Sequence, residues 1–132
     1  MLSSNRFNAL TFAAALLIAG AAIHAHAQRV EVRMLVQSSP LAGFQYYQGK
    51  TLWDEIKVGD ALTLVREPAN AHDTNAVRVE WRGHKLGYVP RRDNEKLARG
   101  MDRGERIEAR VSRLTQHPNP WQRIEFEVFV RL

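Results

Sequence analysis

The amino-acid sequence predicts a mainly β fold, a small and partly open β-barrel of about six strands with one short helix. Three observations indicate this fold. In short segments apolar residues alternate with polar ones, turn-forming residues separate these segments, and one segment after residue 27 has apolar residues at helical spacing. The chain has 132 residues, enough for one domain and too few for two with substantial cores. Because it has no cysteine, we expect the core and the backbone hydrogen bonds to hold it together.

The N-terminal segment has the features of a secretory signal peptide. Arg6 supplies a positive charge, residues 9–23 form an apolar run, and Ala25-His26-Ala27 forms a small-residue cleavage site. The run is shorter than the about 20 residues needed to span a bilayer core. The sequence therefore predicts a signal peptide over residues 1–27, a mature domain over residues 28–132, no membrane span after cleavage, and a periplasmic or secreted location. An uncleaved N-terminal anchor is the alternative.

The mature chain is predicted to contain six strands. Residues 38–40 should end the first strand. This strand carries four apolar residues that alternate with polar ones and should face the core: Val30, Val32, Met34 and Val36. Further strands are predicted near residues 62–67, 77–81, 84–89, 106–114 and 124–131. Leu52, Trp53 and Ile56 indicate one helical turn. The convincing helix is predicted over residues 93–102, since Pro90 precedes it and Gly104 follows it.

Composition and residue spacing narrow the range of possible functions. The formal net charge is +5, which favours anionic partners without selecting among them. We expect Lys85 and Arg78 to lie on a solvated face. His72, His84 and His117 lack metal-ligand spacing, so we predict no metal site and no cofactor. The sequence has neither a phosphate-binding glycine loop nor a nucleophile elbow, so we predict that it is not an enzyme.

Four motifs follow one another in the mature chain with regular spacing. They are Phe44-x-Tyr46-Tyr47-x-Gly49, Gly59-Asp60-x-Leu62-x-Leu64-x-Arg66-Glu67-Pro68, Asn70-x-x-Asp73-x-Asn75-Ala76-Val77 and Leu86-Gly87-Tyr88-Val89-Pro90-Arg91. Together they resemble the HIRAN domain, which occurs at the N-terminus of helicase-like DNA translocases and as a stand-alone bacterial domain. The resemblance covers about residues 30–130. It implies an OB-like barrel that captures the 3′ end of single-stranded DNA.

The resemblance also implies five nucleic-acid-binding residues. Tyr46 and Tyr47 would stack on or pack beside the terminal bases, although only one of them could face the ligand in a regular strand. Asn70 and Asp73 would lie near the terminal nucleotide, with Asp73 a candidate partner of the 3′ hydroxyl. Arg91 would contact a phosphate. The alternative role of Asn70 and Asp73 is to shape their loop through bonds to the backbone.

The sequence departs from the family pattern at three places. Gln45 stands where DNA-end-binding members have an arginine, Ala71-His72 replaces a Pro-aromatic pair, and Tyr88 replaces a histidine of some relatives. Two functions remain open. The preferred one is an exported module whose partner is single-stranded DNA or another anionic ligand. The alternative is a periplasmic module on the same fold that contacts a peptide, a glycan or an envelope protein, which the predicted export favours.

Overall fold

The structure, a computed structural model, describes residues 29–132, so the signal peptide predicted over residues 1–27 lies outside the described residues. Six strands are present: β1 (Arg33–Pro40), β2 (Ala61–Arg66), β3 (Val77–Trp81), β4 (His84–Tyr88), β5 (Ile107–Leu114) and β6 (Ile124–Arg131). The helices are α1 (Gly49–Leu52) and α2 (Arg91–Asp102), and two 3₁₀ turns cover Phe44–Tyr46 and Pro120–Gln122. Within residues 29–132, no helix is both long and apolar enough to cross a membrane.

The six strands form one antiparallel sheet in the order β1-β6-β5-β2-β3-β4. β2 joins β5 through two residue pairs, at Ala61 and Leu62, and then continues alongside β3. Just after β1, Ala42 exchanges two backbone hydrogen bonds of 2.9 Å with Tyr88 of β4. These bonds tie the chain after β1 to the last strand in the sheet order. The sheet therefore curls into the small, partly open barrel that the sequence predicts.

One hydrophobic core fills the curled sheet. β6 buries alternate residues completely, at Ile124, Phe126 and Val128, and β3 follows the same two-residue period. α2 adds Leu97 and Ala98 from its buried side. The alternation predicted for β3 and β6 and the helical spacing predicted for α2 are therefore confirmed.

β1 differs from its prediction in its bounds and in the face it buries. Four apolar residues predicted to face the core are about half exposed or more: Val30, Val32, Met34 and Val36. The strand begins at Arg33 and continues to Pro40, and its register shifts at a bulge between Leu35 and Gln37. Beyond the bulge, Ser39 is buried. Before the bulge the strand buries neither face, since Leu35 is exposed as well. The extra residue moves the positions that pair with the core-facing residues of β6 from even to odd numbers, since Met34 pairs with Val130 and Ser39 pairs with Phe126.

Candidate functional site

The two tyrosines of the first motif lie at a 3₁₀ turn and not in a strand. Gly43 has a φ of 79°, and its carbonyl accepts a hydrogen bond of 3.0 Å from the Tyr46 backbone. Phe44 is buried and anchors the turn, whereas the Tyr46 side chain is 76% exposed. The Tyr46 and Tyr47 rings are 6.5 Å apart at 77°. Because the turn is not a strand, the alternation that would hide one ring does not apply.

Tyr47 is held in place by Tyr88 and Lys85. The Tyr47 and Tyr88 ring centroids are 6.0 Å apart, and Lys85 Nζ lies 4.1 Å from the Tyr47 centroid. Lys85 Nζ also donates to Tyr88 Oη at 2.8 Å. Burial lowers the pKa of Lys85, but the bond to Tyr88 and the phenols of both tyrosines outweigh burial and raise it overall. Lys85 is therefore a charged, half-buried part of the tyrosine cluster, and its predicted place on a solvated face is wrong.

Glu67 links the tyrosine cluster to the Asn70 loop. Its carboxylate accepts hydrogen bonds from Tyr88 Oη at 2.9 Å, Asn70 Nδ2 at 3.0 Å and Arg78 Nη1 at 2.7 Å. Burial raises the pKa of Glu67, and these three bonds outweigh burial, so the pKa lies below its ordinary value. Arg78 is half-buried between Glu67 and Glu80 rather than on a solvated face. Sequence reasoning did not select Glu67 as a site residue, although the second motif contains it.

Asn70 and Asp73 shape their loop through side-chain hydrogen bonds. Asn70 Oδ1 accepts from the backbone nitrogens of His72 at 2.9 Å and Asp73 at 3.2 Å. Asp73 Oδ1 accepts from the Asn75 backbone at 2.9 Å, and its Oδ2 accepts from Asn94 Nδ2 at 2.7 Å. The bonds to backbone nitrogens are those expected from the alternative role, in which Asn70 and Asp73 shape their loop. The bonds of Asp73 also aim its carboxylate into a fixed position, since both of its oxygens are held.

Arg91 begins α2 and reaches across to the same loop. Its Nη2 donates to the His72 carbonyl at 2.6 Å, and its Nε lies 3.6 Å from Asp73 Oδ2. The Arg91 side chain is nevertheless 72% exposed. An open pocket of about 410 Å³ lies between the loop and α2, and Asn70, Asp73 and Arg91 line it. Hydrogen-bond donors of Arg91 and acceptor oxygens of Asp73 therefore meet at one pocket.

The structure brings all five predicted site residues together along one continuous row of contacts. We call this row the tyrosine–loop face; it is built from Tyr46, Tyr47, Lys85, Tyr88, Glu67, Asn70, Asp73 and Arg91. It offers aromatic surface at one end and a polar pocket at the other. Within residues 29–132, no group of three His, Cys, Asp or Glu side chains is arranged to hold a metal ion. The chemistry of this face is that of binding through stacking, hydrogen bonds and charge.

Comparison with solved structures identifies related folds. A protein from Lactobacillus plantarum is 29% identical to this chain, with a TM-score of 0.67, over 76% of this chain and 97% of that one. The HIRAN domain of human HLTF is 22% identical, with a TM-score of 0.55, over 75% of this chain and 78% of that one. The second likeness concerns the fold alone.

Comparison with curated sequences and family models gives the family. The chain is 40% identical over 53 residues to a Fanconi-associated nuclease 1 homolog from Oryza sativa subsp. japonica. That match covers 37% of this chain and spans 6% of the length of the curated relative. The family model described as the HIRAN domain matches residues 34–132. The chain therefore belongs to the HIRAN domain family.

Proposed function

We propose that this protein is a nucleic-acid-binding module that captures the 3′ end of single-stranded DNA. The observation that carries the proposal is the tyrosine–loop face, in which the exposed Tyr46 ring and the half-buried Tyr47 and Tyr88 rings are linked through Glu67 to the loop that lines a polar pocket. The name of one relative, a nuclease homolog, agrees with a nucleic-acid role. Catalysis is not part of the proposal.

The aromatic end of the face would bind bases. The Tyr46 ring is exposed, and the Tyr47 ring is braced from behind by Tyr88. Stacking of a base on such a ring typically contributes about 1–3 kcal/mol and accepts any base. Gln45 lacks the positive charge that related DNA-end-binding domains have at that position. Lys85, which lies against Tyr47, supplies a cation to the same cluster.

The polar end of the face would bind the terminal nucleotide. The Asp73 carboxylate has two hydrogen-bonded oxygens, and a carboxylate provides about four acceptor positions, so it retains room for a 3′ hydroxyl. A terminal 3′ phosphate would instead bring negative charge toward Asp73 and be repelled. Arg91 is exposed beside the pocket and can contact the next phosphate of the strand. The pair would therefore select a hydroxyl end and anchor the backbone behind it.

The proposal extends to export. The predicted signal peptide over residues 1–27 leads us to place the mature domain in the periplasm or outside the cell. Single-stranded DNA would be met there during uptake or release. We expect mass spectrometry of the protein from an envelope fraction to find a chain that starts at Gln28. A chain in the envelope that retains residues 1–27 would contradict cleavage and support the uncleaved anchor. A chain confined to the cytoplasm would contradict export and leave DNA binding to be judged separately.

A titration with two strand ends tests DNA binding. We expect fluorescence anisotropy to show about tenfold tighter binding of a 5′-labelled strand with a 3′ hydroxyl than of the same strand with a 3′ phosphate, because a hydrogen bond is exchanged for charge repulsion. Asp73→Asn keeps the side-chain shape and removes the charge, so it should abolish most of this preference. Affinity should fall as salt rises, since phosphate contacts release counterions.

Matched variants separate stacking from general charge. Tyr46→Ala should weaken binding about tenfold. Tyr46→Phe should retain binding, because a phenylalanine ring can stack on a base as a tyrosine ring does. Arg113→Gln is the charge control, since Arg113 is 69% exposed on β5 and paired with Glu125 away from the face. Absence of binding to every strand at low salt would refute the proposed function. Equal affinity for both ends would leave a strand binder without end recognition.

A further inference from the structure

A second pocket adjoins the 3₁₀ turn that carries the tyrosines. It has a volume of about 380 Å³ and lies between α1 and the loop that joins β5 to β6. Phe44 forms part of its wall, and Tyr46 lies two residues further along the same turn. None of the residues that supply its polar groups belongs to the tyrosine–loop face.

Two cations in this pocket are free of carboxylate partners. The Arg123 guanidinium donates to the backbone carbonyls of His117 at 2.7 Å and Pro118 at 3.2 Å, which fixes its direction. Within residues 29–132, neither Arg123 nor Lys50 forms an ion pair with an acidic side chain. A positioned guanidinium and an exposed ammonium, neither of which is in an ion pair, together favour an anionic ligand such as phosphate.

His117 adds a third donor to the pocket. Its Nδ1 accepts a hydrogen bond of 2.9 Å from the Asn119 backbone nitrogen, which leaves Nε2 as the ring nitrogen that can donate. Asp54 is the one acidic side chain among the lining residues of this pocket. Lys50, Arg123 and His117 thus outnumber it, and the polar wall is dominated by N–H donors.

Trp53 supplies a flat apolar wall beside these donors. Its ring lies 5.8 Å from the Phe44 ring at 82°, an edge-to-face contact that fixes the indole against the core. Trp53 is only partly buried and lines the pocket. A fixed aromatic surface next to a cluster of donors matches a nucleotide, whose base stacks while its phosphate accepts hydrogen bonds.

The geometry points to a subsite for an internal nucleotide of the bound strand, with its base on Trp53 and its phosphate between Lys50 and Arg123. This inference rests on the proposed function for the identity of the ligand, since the pocket and the tyrosines share one turn. A strand that ends at the Asp73 pocket and passes Tyr46 would continue into this second pocket. Strands too short to reach it would bind through the tyrosine–loop face alone.

Binding as a function of strand length tests the subsite. We expect a strand of about ten nucleotides with a 3′ hydroxyl to bind about fivefold to tenfold more tightly than a trinucleotide with the same end, because one more base stacks and one more phosphate is held. Lys50→Gln should remove most of this gain, lower the salt slope for the long strand by about 0.7 and leave the trinucleotide affinity unchanged. Lys57→Gln is the matched control, since Lys57 is also exposed and does not line the pocket.

A second variant tests the aromatic wall. Trp53→Phe keeps a ring against Phe44, so we expect the fold to be retained and the long-strand affinity to fall less than in Lys50→Gln. Equal affinity for long and short strands, or equal effects of Lys50→Gln and Lys57→Gln, would overturn the subsite and leave the 3′-end function standing. Long-strand binding that depends on Lys50 but not on the type of end would refute end capture and support the subsite. Absence of binding to either strand would overturn both.

Discussion

Glu67 shows how a single side chain can organise a binding face. The residues that contact it come from three separate segments, and Asn70 and Tyr88 represent the two ends of the tyrosine–loop face. Its third partner, Arg78, also bonds Glu80 and so remains paired on β3. A carboxylate can accept all three bonds at once because it has no proton of its own to place. Glu67 therefore positions the face without lying at its exposed surface.

Replacement of Glu67 by glutamine should lower stability in a pH-dependent way. A glutamine has one acceptor oxygen and turns an NH₂ group toward the donors, so we expect a loss of about 1–3 kcal/mol at neutral pH. The folded pKa of Glu67 lies below its ordinary value of 4.5. Its contribution is therefore present above pH 4.5 and lost as the pH falls through the folded pKa.

Urea denaturation at neutral pH and again well below pH 4.5 measures this difference. The gap between the natural protein and Glu67→Gln should narrow in acid, because protonation makes the natural side chain resemble the amide. Glu55→Gln provides the control, since Glu55 is an exposed carboxylate outside the network. A gap that stays constant across this range would show that the charge of Glu67 does not support the fold.

Local elements of this fold could be predicted from the sequence because their causes are local. The β3–β4 hairpin turns at Arg82 and Gly83, which have φ values of 46° and 80°. Positive φ at both central residues is typical of the tight turns that join twisted strands. α2 was likewise predicted from the flanking Pro90 and Gly104, and its Leu97 and Ala98 are buried in the structure. In each case, residues within about ten positions of one another were enough to predict the element.

Elements with distant causes could not be predicted in the same way. The face of β1 depends on a bulge between Leu35 and Gln37 that appears only when β6 is paired beside it. The proximity of the tyrosines to the Asn70 loop depends on Tyr88 reaching Glu67, which is 21 positions away. A single sequence shows neither partner. The family resemblance supplied the five site residues, whereas the links between them come from the structure.

Close backbone approach at β4 explains one motif glycine that the sequence left without a role. A side chain on Gly87 would overlap the Ala42 carbonyl oxygen. Ala42 is the residue that exchanges two hydrogen bonds with Tyr88 and joins the two margins of the sheet. Glycine at this position therefore permits the barrel to close, and closure in turn sets the Tyr88 ring beside Tyr47. The motif around Leu86 and Tyr88 is thus required by the sheet as well as by the candidate site.

At the scale of the whole molecule, the sheet has two halves that share one core and are joined by few residue pairs. β1, β6 and β5 form one half, β3 and β4 form the other, and β2 joins them through two residue pairs with β5. The residue before β2 adds to this joint. The Asp60 carbonyl accepts from the Val111 backbone at 2.9 Å, and its Oδ2 accepts from the Trp81 indole nitrogen at 2.9 Å. Asp60 thereby bonds β5 on one side and β3 on the other.

Because the buried side chains of both half-sheets form one cluster, we expect the domain to unfold in a single transition. Circular dichroism follows the whole sheet. In a background that carries Trp53→Phe and Trp121→Phe, fluorescence comes from the buried Trp81 and follows β3, so the two urea midpoints should coincide. Asp60→Ala leaves the buried indole N–H of Trp81 without its acceptor and should lower both midpoints together, by about 1–3 kcal/mol of unfolding free energy. Asp54→Ala removes an exposed carboxylate six residues earlier and should change neither. Separate midpoints for the two signals would mean that β3 and β4 melt apart from the rest, in which case the Tyr88–Glu67 link could not hold the tyrosines and the loop as one binding face.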